Sequence, residues 1–159
     1  MKKIISLFLL VIITLGLLKL DAFAVNYSDV PTNEYYYYAV YWAYDEGITN
    51  GTSATTFSPD NSLTRAQVVT FLWRMAGRPT GYQNYALQFT DVNPNAYYIN
   101  AVGWAVYFGI TTGTGNNLFS PSRVITNKET ITFMHRAAIC QQIATANTTG
   151  GRLSLANIS

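Results

Sequence analysis

The chain has 159 residues, 49% of them hydrophobic, 14% aromatic and only 11% charged, with one cysteine and one histidine. That many aromatic side chains exclude a disordered chain. A single cysteine excludes a disulfide-built scaffold, and the length suits one domain or two small repeats.

Met1-Lys2-Lys3 opens the chain with a short basic stretch, and Ile4 to Leu18 is an apolar run broken only by Ser6, Thr14 and Gly16. The run falls short of the about 20 residues a membrane span needs. Lys19 and Asp21 end it, and Ala22-Phe23-Ala24 supplies a small-x-small cleavage pattern. Residues 1–24 are therefore predicted to be a secretory signal peptide, removed after Ala24. Cleavage would leave seven basic and seven acidic residues, a formal charge of zero. Non-specific attraction to nucleic acid then has no bulk charge behind it, and no stable membrane span is expected in the exported product. Cys140 has no partner in the chain and does not follow the cleavage site, so neither a disulfide nor a lipid anchor is expected. A product retained at the cell surface must be held there by its folded part.

The rest of the chain is governed by a repeat of 62 residues. Asp29-Val30 matches Asp91-Val92, Tyr35-Tyr36 matches Tyr97-Tyr98, and Trp42-Ala43 matches Trp104-Ala105. Gly47-Ile48-Thr49 then pairs with Gly109-Ile110-Thr111, Phe57-Ser58-Pro59 with Phe119-Ser120-Pro121, and Arg74 with Arg136. Residues 27–76 and 89–138 share 22 identities without a gap, so two copies of one supersecondary unit are present.

Each copy reads as helix, loop, helix. Over residues 34–46, Tyr36, Ala39, Val40, Ala43 and Gly47 follow the spacing of one buried stripe, and Gly47 fits the left-handed position that ends a helix. A Gly-, Thr- and Ser-rich loop over 48–63 follows, with Phe57 as its apolar anchor. Thr64-Arg65-Ala66-Gln67 is a capping box opening the second helix, repeated as Thr126-Asn127-Lys128-Glu129. Val68, Phe71, Leu72 and Met75 are the expected inner stripe, and Gly77 and Pro79 close that helix. The predicted organisation is a signal peptide (1–24), repeat 1 (25–79), a linker (80–88), repeat 2 (89–144) and a polar tail (145–159). Such a unit cannot enclose a core alone and must pack against another copy.

The ordered landmarks Asp-Val, Tyr-Tyr, Trp-Ala, Gly-Ile-Thr, Phe-Ser-Pro and Thr-Arg-Ala-Gln resemble the S-layer homology (SLH) family of bacterial cell-surface modules, and all but the last occur twice. The resemblance implies an all-α fold of tandem helix-loop-helix repeats, here an incomplete pseudo-threefold bundle because a third copy is missing. It also implies noncovalent attachment to the cell wall through secondary cell-wall polysaccharide, often through a pyruvylated sugar. On that resemblance, ligand binding falls first to Arg65. A helix start offers unpaired amides, and a guanidinium can take a carboxylate in two hydrogen bonds. Thr64 and Gln67 frame it, and Asn50 and Gly51 can line a groove beside it. Trp42 and Trp104 can stack on sugar faces or pack between repeats. In repeat 2, Asn127 replaces the arginine and Lys128 carries a charge one position on, without the fork. Asp29 and Asp91 are expected to hold backbone and not ligand.

No enzyme is expected. His135 and Cys140 do not share a helix face, Asp45 and Glu46 are adjacent and not paired across a cleft, and no metal-ligand spacing, phosphate loop or cofactor motif occurs. The missing third copy leads to a second expectation: an exposed apolar seam that invites a homo-oligomer or docking onto another SLH protein.

Overall fold

The computed structural model describes residues 25–148, with side chains to Gln141; the expected signal peptide and residues 149–159 of the tail lie outside the described residues. Five helices follow one another: α1 (Tyr37–Asp45), α2 (Arg65–Met75), α3 (Gln83–Ala86), α4 (Ile99–Tyr107) and α5 (Asn127–Thr148). Among the described residues β pairing is limited to isolated bridges, Thr64 to Val124 and Gly115 to Leu118. The class is all-α, as the periodicity predicts.

The 62-residue repeat is also a repeat of hydrogen bonds. Asp29 accepts from the amides of Phe57 (2.8 Å) and Ser58 (2.7 Å), and Asp91 accepts from those of Phe119 (2.9 Å) and Ser120 (2.8 Å). Each carboxylate thus clamps its loop to the entry of its repeat, the backbone-holding role expected of both. Arg74 donates to the Ile48 carbonyl (2.8 Å) and Arg136 to the Ile110 carbonyl (3.1 Å), tying each second helix to the end of the first. Gly47 and Gly109 end α1 and α4 at φ of 66° and 68°, where a side chain would be strained.

Packing does not follow the sequence order of the repeats. Ala66, Val68 and Val69 of α2 share one buried core with Ala101, Val102, Trp104 and Ala105 of α4 and with Phe119 and Phe133 of repeat 2. The second helix of repeat 1 therefore completes the core of repeat 2. What remains around α1 is a small aromatic core of Tyr27, Val30 and Val40, edged by Tyr37, Tyr41, Tyr44 and Phe57. Phe57 is the loop anchor the sequence predicts. Among the described residues the buried Tyr27 hydroxyl has no hydrogen-bond partner, and the matching residue in repeat 2, Phe89, is a buried plain phenyl ring.

Three boundaries differ from expectation. α1 is shorter than 34–46, and of the expected stripe Tyr36 and Val40 pack in the small core, Ala43 is half-buried and Ala39 is exposed, while Tyr37, Tyr41 and Tyr44 pack there as well. The matching Ala101 of α4 is buried in the core that α2 shares; among the described residues no helix covers α1 in that way. Met75, expected inside, is 54% exposed. α5 runs through Thr148, past the expected start of the tail. The expected linker, 80–88, contains α3, and Ala86 is fully buried in the core.

Gly103 seats that linker. A Cβ there would collide with the Tyr82 backbone carbonyl; repeat 1 carries Tyr41 at the matching position. Gly103→Ala is expected to lose about 1–3 kcal/mol, the usual cost of overpacking. Urea unfolding measures it, and an unchanged midpoint would show that α3 is not held against α4.

Candidate functional site: a cleft at the repeat junction

The start of α2 is a fully occupied helix terminus. Thr64 and Gln67 form the expected capping box, with the Gln67 amide donating to Thr64 Oγ1 (3.3 Å) and the Thr64 amide to Gln67 Oε1 (2.8 Å). The Arg65 amide donates to the Arg123 carbonyl (3.0 Å) and the Ala66 amide to the Pro121 carbonyl (3.1 Å). Repeat 2 thus takes the orphan donors that would otherwise attract an anion.

The Arg65 side chain is also taken. It is 1% exposed, its Nε donates to the Phe119 carbonyl (2.9 Å), one terminal nitrogen to Glu129 (2.9 Å) and the other to Thr111 Oγ1 (3.3 Å). The guanidinium carbon sits 5.0 Å from the Phe119 ring centroid and 5.1 Å from that of Phe133, a cation–π sandwich. Burial lowers its pKa, and the Glu129 carboxylate opposes that shift. Glu129 itself is held down to about 2, chiefly by the hydrogen bond from Arg123 and also by bonds from Thr126. The expectation that Arg65 grips a ligand is corrected: it is a structural pin joining repeat 1 to repeat 2. Trp104 is corrected likewise, being 3% exposed in the main core. Lys128 is exposed on the first turn of α5 and does not line the cleft described next.

An open cleft of about 480 Å³ lies next to α2 instead. Asn50 and Gly51 of the loop and Gln67 of α2 line it, as expected of them; the sequence reading missed Arg74, Phe71 and Tyr97. Arg74 is half-buried, and its pKa is lowered by burial and by the nearby Arg78. Tyr97, 63% exposed, comes from repeat 2 and closes the cleft beside Arg74; burial and Tyr98 raise its pKa while Arg74 pulls it down. The arrangement combines one cation, several amides and hydroxyls, and an open aromatic ring. Arg74 was visible as a repeat landmark, but nothing local in the sequence says that it borders open space. Trp42, 52% exposed, does not line this cleft but a shallow groove with Glu46, Ile48 and Met75 that shares Arg74 with it.

A pair of interlocked helical repeats with an open polar-aromatic cleft at their junction defines a small recognition module. The S-layer homology domain matches residues 26–69 and 88–130, and the chain belongs to that family. It is similar to a cell surface protein of Thermoanaerobacter kivui, 31% identical over 70% of this chain and 15% of that protein. It is also similar to an endoglucanase of Bacillus sp. (strain KSM-635), 34% identical over 72% of this chain and 12% of that protein. A third relative is cell surface glycoprotein 1 of Acetivibrio thermocellus, 26% identical over 72% of this chain and 5% of that protein. The chain thus spans a small fraction of the length of these relatives. The matched domain is a non-catalytic attachment domain, and it associates the chain with the cell surface. No described helix is long and apolar enough to cross a membrane.

Proposed function

We propose that the protein attaches noncovalently to the cell wall by binding secondary cell-wall polysaccharide in the cleft between its repeats. The observation that carries this reading is the cleft itself, where Asn50, Gly51, Gln67 and Arg74 of repeat 1 meet Tyr97 of repeat 2. Amides and hydroxyls suit sugar hydroxyls, a partly exposed tyrosine suits the apolar face of a pyranose, and Arg74 offers an acidic substituent, such as a pyruvyl carboxylate, its counter-charge. With an expected formal charge near zero, affinity rests on this local constellation and not on bulk attraction. The test is co-sedimentation of the purified protein with cell walls before and after acid extraction of the secondary polymer. Binding is expected to be lost on extraction; equal binding to both preparations overturns the reading.

A further inference from the structure

The 62-residue repeat makes the cleft recognisable as a second copy of a socket that is already filled elsewhere in the molecule. In repeat 2, Arg65 enters a socket formed by the Phe119 carbonyl, Thr111, Glu129 and the rings of Phe119 and Phe133. Counting back 62 residues, the same positions are Phe57, Thr49, Gln67 and Phe71, and all four line the open cleft of repeat 1. The loop around the filled socket accepts α2 amides through the Pro121 and Arg123 carbonyls; the matching Pro59 and Asn61 line the open one. The last described helix, α5, is the counterpart of α2 in repeat 2 and presents an exposed face among the described residues. On α5 the residues matching Ala66, Val69 and Leu72 are Lys128, Ile131 and Met134, with Ile131 64% and Met134 50% exposed. On α1 the residues matching the buried Ala101 and Trp104 are Ala39 and Trp42, both exposed.

We propose that the start and outer face of α5 dock head-to-tail into the cleft and outer α1 face of a second copy of this chain, repeating between molecules the packing of α2 on repeat 2. Two features select a second copy as the occupant. Inside the chain the pin is a charged pair, Arg65 with Glu129; at the proposed contact the same two positions are Asn127 and Gln67, both neutral amides able to pair with each other. Charge is complementary as well: residues 25–79 carry five carboxylates against three basic side chains, and residues 89–144 carry two against three. The contact is heterologous, so a pair retains one free face of each kind and pairing can propagate. A second copy and wall polymer would contend for the same cleft, so the pairing is measured without polymer.

The experiment is sedimentation equilibrium of the purified protein alone and of two surface variants, with circular dichroism confirming the fold. Ala39→Arg blocks only the α1 face and Ile131→Lys only the α5 face. The wild-type mass is expected to rise with concentration, and each variant alone to associate about tenfold more weakly or not at all. An equimolar mixture of the two variants retains one intact face of each kind and is expected to give a discrete 1:1 dimer that grows no further. A wild-type protein that stays monomeric overturns the proposal, as does a mixture that fails to pair. The readout is mass, so it stands or falls separately from wall binding.

Discussion

Replacing Arg65 with alanine is expected to cost about 3–5 kcal/mol of folding stability, the usual penalty for stripping one partner from a buried, hydrogen-bonded charge pair. The loss has three sources in this structure: the Phe119 carbonyl and Thr111 hydroxyl lose their donor, Glu129 loses a counter-ion, and a space opens between Phe119 and Phe133. Because α2 completes the core of repeat 2, both repeats should unfold together, and a single cooperative urea transition with a lower midpoint measures the effect. A variant that melted like the wild type would place Arg65 outside the core. Glu129→Gln separates charge from shape, since Gln67 shows that glutamine serves the capping box equally well. It should keep the helix start and still lose stability through Arg65. The pH dependence has a definite sign. The Glu129 pKa is depressed from 4.5 to about 2 in the folded protein, so the unfolded chain binds its proton first as pH falls. Its contribution is therefore complete above about pH 4.5 and drains away toward pH 2. Wild-type stability should fall more steeply over that window than that of Glu129→Gln.

Much of this was legible in the sequence, and the reason is repetition. Twenty-two identities at one offset fixed the number of units, and the two capping boxes fixed where α2 and α5 begin, because both reciprocal hydrogen bonds are local. Asp29 and Asp91 were readable as backbone holders from the turn each precedes, but the amides they clamp lie 28 and 29 residues on and were not. What the sequence hid was partnership. Arg65 sits where helix-terminus electrostatics favour an anion, but whether the amides there are free depends on the Pro121 and Arg123 carbonyls some 55 residues away. The two tryptophans make the point more sharply. Trp42 and Trp104 occupy the same repeat position, yet one is 52% exposed and the other 3%. The difference lies in α2 and α3, which flank α4 and have no equivalent over α1 among the described residues. Periodicity identifies a face but not what covers it.

The cleft yields the other large effect. Tyr97→Ala is expected to weaken sedimentation with polymer-bearing walls by about tenfold or more, the effect of truncating an aromatic anchor in a binding site. Stability should change by less than about 0.5 kcal/mol, because the ring is largely exposed and outside both cores. The comparison with Tyr35 gives the internal control. It occupies the same position in repeat 1 and is 94% exposed, but does not line this cleft, so Tyr35→Ala should leave wall binding unchanged. Asn50→Asp probes the charge of the ligand at the same site. A carboxylate placed near Arg74 would compete for the guanidinium and repel an acidic polymer, so binding should fall as much as for Tyr97→Ala and recover in part as pH drops and the new side chain protonates. If Asn50→Asp binds as tightly as the wild type while Tyr97→Ala does not, the polymer is held there by its neutral sugar faces, and Arg74 serves only to fasten α2 to the Ile48 carbonyl, as Arg136 fastens α5 to that of Ile110.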